Sequence, residues 1–156
     1  MLKDSQPLLQ IENFVKQEYA NETTGHDFFH VDRVRKMAMN IARTEGEQVD
    51  IFVLEASALL HDIPDYKFNE SEDVGLERVR KILDMAKVTA EVQDKILTIV
   101  GSVSYKGANV PSQMEYLEGR IIQDADRLDA LGAIGIARAF AFGGKLGLSL
   151  YDPDQK

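Results

Sequence analysis

The apolar residues of this chain recur at helical spacing along most of its length, and this pattern limits the fold more than any other feature. Leu8, Ile11 and Val15 share one helical face, and the apolar residues within 31–42 and 92–103 repeat with the same period. Asp, Glu, Lys and Ala dominate where a strand would need alternating β-branched residues. At 156 residues the chain is long enough for a single sizeable core. The sequence therefore predicts an all-α fold.

Residues that favour helix ends divide the first half of the chain. A first helix is predicted to begin near Ser5 with Pro7 in its first turn. A second is predicted to end before Gly46. Asp50 has the character of an N-cap, so a third helix should begin there and run towards Pro64.

The second half carries two sequences with capping-box spacing, at 69–72 and at 112–115. The first should open a helix that buries the apolar residues of 79–86. The second should open a helical region that reaches about Phe142, with breaks near Asp124 and Gly132. The Gly-rich, polar residues from 143 to 156 are expected to form a tail, unless the chain stops short of the natural protein's end.

Charge and composition exclude several classes of protein. The formal charge of −8 argues against broad capture of a nucleic-acid polymer, although a bound cation and local basic side chains can still hold a small phosphorylated ligand. There are no cysteines, which excludes disulfides, thiolate nucleophiles and Cys-based zinc sites. Neither a signal peptide nor a membrane-spanning run is visible, so a cytoplasmic protein with no membrane partner is expected.

The three histidines lie close to acidic residues. His26 and His30 are four residues apart, so in a helix they share a face, and His61-Asp62 closes the apolar run 56–60. Asp and Arg residues cluster again at 124–129. Imidazole and carboxylate without sulfur suit Mn²⁺, Fe²⁺, Zn²⁺ or Mg²⁺. Each feature alone also fits a hydrogen-bonded core histidine or a solvated acidic face, so the residues by themselves leave a metal site open.

The ordered residues His30, His61-Asp62 and Asp126 resemble the H…HD…D signature of the HD-domain metal-dependent phosphohydrolases. Their flanks, at 26–34, 58–63 and 123–133, resemble one branch, the small stand-alone bacterial HD hydrolases. The resemblance covers roughly residues 10–150. It implies an HD domain at 1–150 and a tail at 151–156, with the chain truncated relative to the family, whose members usually continue with further helices.

The resemblance also implies a set of site residues. The metal ligands are His30, His61, Asp62 and Asp126, around one divalent ion, with Mn²⁺ first and Fe²⁺, Zn²⁺, Co²⁺ or Mg²⁺ as alternatives. A single ion is favoured because the chain has only three histidines. The ion would activate a water molecule, with Asp65 as the catalytic acid or, equally, a turn residue.

Further residues are expected around the ligands. The substrate-binding residues are expected to be His26, Arg33, Lys67 and Arg127. Lys106 and Arg138 are weaker candidates for the same role, while Asp124 and Asp129 are structural residues or neighbours of the ligands. Asp27 and Asp32 are expected to be solvated charges or charges of a first helical turn.

The expected substrate is a small phosphorylated molecule, first of all a (deoxy)nucleoside triphosphate from which pyrophosphate is released. A nucleoside 5′-monophosphatase and an alarmone hydrolase are the enzyme alternatives. A non-catalytic nucleotide-binding signalling module is the alternative from another class, and a homodimer is left open. The glycines from 132 to 147 do not form a phosphate-binding loop, because the Lys-Ser/Thr ending and the preceding strand are missing, and close helix packing explains them better.

Overall fold

The computed structural model describes residues 6–23, 25–45, 48–64, 71–103, 114–151 and 153–154. Within these residues the regular structure is entirely helical, which confirms the predicted fold class. The helices are α1 (Gln6–Glu18), α2 (Phe28–Ala42), α3 (Ile51–Leu60), α4 (Glu72–Met85), α5 (Ala90–Ser102), α6 (Leu117–Asp129) and α7 (Gly132–Lys145). None of the described helices has the length and apolar character needed to cross a membrane.

Helix α3 forms the centre of the molecule. Seven of its ten residues are buried, because the segment is apolar apart from Glu55 and Ser57 and because α1, α2, α5 and α6 all pack around it. The surrounding helices are amphipathic and turn one apolar stripe inward, as Ile11 and Val15 of α1 do. Helices α2 and α6 also pack directly on each other beside α3.

The predicted helix ends are partly right. Pro7 lies in the first turn of α1, and Asp50 caps α3 by accepting a hydrogen bond from the Val53 amide. Helix α3 ends at Leu60 rather than Pro64, and its C-cap is His61. Helix α4 starts two residues later than predicted, because Ser71 caps it instead of the residue at position 69.

The C-terminal prediction needs more correction. Helix α6 begins at Leu117, after the predicted box at 112–115, whose first two residues lie outside the described part of the chain. It runs through Asp124 without the predicted break. The break near Gly132 is correct. There the backbone turns through a left-handed conformation with φ of 67°, which glycine adopts without strain.

The tail does not begin at residue 143 as the composition predicted, because α7 continues through Gly143 and Gly144 to Lys145. None of the residues of α7 is buried, and it contacts α6. Several large apolar side chains of α7 are exposed, among them Ile134, Ile136 and Phe140. Close packing explains Gly135, since a Cβ there would lie 2.0 Å from the Ala130 carbonyl oxygen. Gly132 has a conformational reason instead, because no atom lies within 4 Å of its Cβ position.

Candidate metal centre

The four predicted ligands come from three segments, α2, the end of α3 and α6, and lie close together in the structure. His30 lies in the first turn of α2, where the Asp27 carboxylate caps the helix by accepting a hydrogen bond from the His30 amide. His61 and Asp62 follow the last residue of α3, and Asp126 lies on α6. Since α2, α3 and α6 pack on one another, residues far apart in sequence become neighbours.

The ligand atoms of these residues converge. His30, His61 and Asp62 each offer an atom within 4.8 Å of the other two. The Asp62 carboxylate lies 3.4 Å from His30 Nε2 and 3.3 Å from His61 Nε2. Asp126 Oδ1 lies 3.5 Å from His30 Nε2 and 3.9 Å from His61 Nε2. Spacings of this size would allow all four residues to hold one divalent ion.

Both imidazole rings turn the same nitrogen towards this centre. His30 Nδ1 lies 2.7 Å from the Asp129 carboxylate, and His61 Nδ1 lies 2.8 Å from the Ala58 carbonyl oxygen. A carbonyl and an ionised carboxylate only accept hydrogen bonds, so Nδ1 carries the proton in both rings. The Nε2 atoms therefore face the carboxylates of Asp62 and Asp126, where their lone pairs would be available to a metal ion.

The centre also holds polar atoms that the protein does not satisfy. Within the described part of the chain, His61 Nε2 and Asp62 Oδ2 are buried and have no hydrogen-bond partner. An unpaired buried polar atom costs about 1–3 kcal/mol, and a charged one costs more. A divalent cation would satisfy both atoms. The chemistry of this donor set, two imidazole nitrogens with carboxylate oxygens, fits such an ion.

The burial of the ligands differs, and this gives the centre an open side. The side chains of His30 and His61 are each only 1% exposed, whereas that of Asp126 is 31% exposed. Burial raises the pKa of Asp62, but the neighbouring His61 and His30 outweigh burial and hold it well below its usual range. Asp62 is therefore a carboxylate at neutral pH. A small molecule would approach the centre from the side of Asp126.

The surroundings of His30 contain Asp129, for which the sequence left open a structural role or a place beside the ligands. Asp129 lies one turn after Asp126 on α6, and its carboxylate contacts His30, Arg33 and Arg138. The three-residue spacing from a ligand was the available signal, since such residues share a helical face. Asp124 points elsewhere: its carboxylate is exposed and lies 3.6 Å from Arg127.

The expectation that His26 and His30 share a helical face is wrong. Asp27 caps α2, so the helix begins after His26, and Gly25 turns the preceding chain with φ of 86°. The two rings nevertheless meet edge to face with centroids 6.0 Å apart, and His26 also contacts Phe142 of α7 at 6.2 Å. His26 therefore borders the centre from a loop.

The remaining predicted residues are scattered. Arg33 lies one turn after His30 and binds Asp129. Arg127 lies on the outer side of α6 beside Asp124. Asp27 is the N-cap of α2, and Asp32 pairs with Arg35 and Lys36. The catalytic candidate at position 65 and the basic candidates at 67 and 106 lie outside the described residues.

Comparison with known proteins gives a consistent match. The model of the HD domain family matches residues 28–131, a range that includes the four predicted ligands and Asp129. The uncharacterized protein YpgQ of Bacillus subtilis is 36% identical over 155 residues, which is 99% of this chain and 75% of YpgQ.

Solved structures agree with this match. A protein from Lactobacillus plantarum has a TM-score of 0.82 and 36% identity, and the match covers 99% of this chain and 70% of that one. The crystal structure of YpgQ in complex with ADP has a TM-score of 0.74 and 36% identity over 96% of this chain and 74% of that one. An HD-superfamily hydrolase from Bacillus thuringiensis has a TM-score of 0.70 and 40% identity over 96% and 71%, respectively.

Proposed function

Because this chain belongs to the HD domain family, we propose that it is a metal-dependent phosphohydrolase with His30, His61, Asp62 and Asp126 as its ligands. The convergence of the buried His30 and His61 with the partly buried Asp62 carries the proposal, since each of these residues offers an atom within 4.8 Å of the other two. The solved relative from Bacillus thuringiensis is described as a hydrolase, which supports the reaction class.

The chain's own residues prepare the centre for a phosphate. Asp129 and Ala58 hold the two imidazoles through Nδ1, so neither ring has to turn when an ion binds. A bound divalent cation would supply the Lewis acidity that phosphate hydrolysis needs. Arg33 is 38% exposed and donates to Asp129 through Nε and Nη2, which leaves Nη1 to reach a phosphoryl oxygen.

For the substrate, we propose a nucleotide and, first of all, a (deoxy)nucleoside triphosphate cleaved to release pyrophosphate. The relative YpgQ crystallises in complex with ADP, which supports nucleotide binding by this chain. Within this proposal Mn²⁺ is the first expected ion and Asp65 the proton-handling acid. His26, Arg33, Lys67 and Arg127 are the expected substrate contacts. A cytoplasmic location and a homodimer stay predictions of the same kind.

The first experiment tests the metal centre. Metal content and Mn²⁺ binding would be measured for the parent, His61→Ala and Asp126→Ala. Asp124→Ala is the matched control, because Asp124 is an exposed carboxylate on the same helix as Asp126. We expect near-stoichiometric metal in the parent and the control and a loss of metal in the other two variants. A folded parent that takes up no Mn²⁺ would refute the proposed function.

The second experiment identifies the reaction. The parent would be incubated with Mn²⁺ and a panel of nucleotides, and the phosphate product would be analysed. Pyrophosphate from triphosphates supports the proposal, whereas orthophosphate from 5′-monophosphates indicates a monophosphatase. Hydrolysis of guanosine polyphosphates alone indicates an alarmone hydrolase. Tight nucleotide binding without turnover would indicate a signalling module instead of an enzyme.

A further inference from the structure

The carboxylate of Asp129 forms hydrogen bonds with three side chains from two other helices. Its Oδ2 lies 2.7 Å from His30 Nδ1, 3.0 Å from Arg33 Nη2 and 3.1 Å from Arg138 Nη1. Its Oδ1 accepts a further hydrogen bond from Arg33 Nε at 2.7 Å. Arg33 therefore holds the carboxylate with two donors of its planar fork. His30 and Arg33 come from α2, and Arg138 comes from α7.

This placement is unfavourable for helix α6 itself. Asp129 is the last residue of α6, where the partial charges of the helix end repel a negative side chain. Its side chain is only 10% exposed, so the carboxylate is also largely removed from water. The guanidinium groups of Arg33 and Arg138 bind this carboxylate in place of water. The residue is thus a charged acceptor whose location helix stability does not explain.

We propose that Asp129 is a positioning residue, which holds His30 in the Nδ1–H tautomer and fixes Arg33 and Arg138 beside the centre. The inference rests on the proposed metal centre, because the tautomer matters by directing the His30 Nε2 lone pair at the ion. His30 Nε2 lies 3.4 Å from Asp62 and 3.5 Å from Asp126, so the ring already points at the other ligands.

Arg138 extends the site beyond the segment that matches the family model, which ends at residue 131. Its aliphatic stem passes over Gly25, where a Cβ would lie only 2.6 Å from Arg138 Cγ. The side chain of Arg138 is 16% exposed. Arg33 and Arg138 thus share one carboxylate beside the centre. Helix α7, which has no buried residue, thereby contributes one guanidinium to the site.

The tautomer of His30 is measured directly on the metal-free protein. Long-range ¹H–¹⁵N spectra of ¹⁵N-histidine protein, recorded over a pH series into the alkaline range, distinguish the two neutral tautomers from each other and from the imidazolium form. The chain has three histidines, so His26→Gln and His61→Gln variants, each of which lacks one set of signals, assign the remaining set to His30. We expect His30 protonated at Nδ1 in the parent and a shift towards the Nε2–H form in Asp129→Ala. A parent with the Nε2–H form overturns the proposal.

Metal affinity provides the second readout. Asp129→Asn keeps the size of the side chain, so it preserves the fold better than alanine and removes the charge. We expect Mn²⁺ to bind this variant about 10–100-fold more weakly than the parent, as for other residues that orient a ligand. Asp124→Asn, on the same helix and exposed, should change affinity less than 3-fold. Equal Mn²⁺ affinity in folded Asp129→Asn and the parent would contradict the proposed role.

The two readouts separate this inference from the proposed function. A parent that binds no Mn²⁺ refutes the proposed metal centre. The tautomer spectra of the metal-free protein then still test whether Asp129 orients His30. If the parent binds Mn²⁺ but His30 is protonated at Nε2, the proposed metal centre is supported and the proposed role of Asp129 is refuted.

Discussion

Glu118 joins three helices far from the site, and its replacement tests how that junction is held. The carboxylate in the first turn of α6 accepts a hydrogen bond from the Asp50 amide at 2.9 Å and one from Lys95 Nζ at 3.0 Å. Asp50 is the N-cap of α3, the helix that ends at His61. The Glu118 side chain is only 5% exposed, so water cannot replace these partners.

The magnitude follows from these two bonds. Glu118→Gln keeps a neutral acceptor, and exchanging a charged for a neutral acceptor at the buried amide costs about 1 kcal/mol. Lys95 is 28% exposed, so losing its charge pair adds at most about 1 kcal/mol. We expect the free energy of unfolding to fall by about 1–2 kcal/mol at pH 7, which lowers Tm by roughly 2–8 °C.

The destabilisation expected for Glu118→Gln should change with pH in a defined direction. Burial raises the pKa of Glu118, but the hydrogen bonds from Asp50 and Lys95 outweigh burial and lower the pKa below the ordinary 4.5. A carboxyl with a lowered folded-state pKa stabilises the protein above its ordinary pKa and loses this contribution as pH falls through the folded-state value. The stability difference between parent and Glu118→Gln should therefore be full at pH 7 and shrink below about pH 4.5.

Urea unfolding followed by circular dichroism at pH 7 and at pH 3.5 measures both quantities. Glu115→Gln is the matched control, because Glu115 is an exposed carboxyl just before α6, and we expect no more than about 0.5 kcal/mol of change. A difference between parent and Glu118→Gln that stays constant between the two pH values would refute the electrostatic reasoning. A loss no larger than that of the control would refute the structural reasoning as well.

Three further outcomes are expected. Gly135→Ala should lower the free energy of unfolding by about 1–3 kcal/mol, because its Cβ would lie 2.0 Å from the Ala130 carbonyl oxygen. Gly144→Ala should raise the free energy of unfolding by up to about 1 kcal/mol, because no atom lies within 4 Å of its Cβ position. Chemical denaturation measures both variants. Leu59→Ala removes a fully buried side chain at the centre of the core and should cost about 2–5 kcal/mol by the same measurement. Chelator treatment of the metal-loaded parent should lower its Tm, because an ion at 100 times its Kd stabilises by about 2.7 kcal/mol, and the same treatment of His61→Ala should leave Tm unchanged in a thermal-shift assay.

The sequence predicted those parts of the structure that local chemistry decides. The apolar period predicted an all-α fold, and the side chain of Asp50 marked the start of α3 because an N-cap acts within its own helical turn. The proximity of His30, His61 and Asp62 followed only from the family resemblance, since nothing in the local pattern brings α2 to the end of α3. Their role as ligands stays a prediction.

The predictions that were wrong or incomplete concern features that depend on competition between neighbouring residues or on tertiary contacts. His26 stands outside α2 because Asp27 takes the capping position, and spacing alone does not reveal which polar residue caps a helix. Asp124 did not interrupt α6, because an exposed acidic residue costs a helix little. Asp129 was only one of two candidates beside the ligands, and its contact with Arg33 spans 96 residues of sequence.

The two imidazoles of the centre are held in different ways, and this makes their sensitivity to the fold unequal. His61 is oriented by Ala58, three residues earlier in its own segment, so its geometry survives wherever α3 forms. His30 is oriented by Asp129, so its geometry depends on the packing of α2 against α6. Because α6 also supplies Asp126, a displacement of this one helix withdraws a ligand and the orienting carboxylate together. Metal affinity should therefore fall more steeply than stability when the contact between α2 and α6 is weakened.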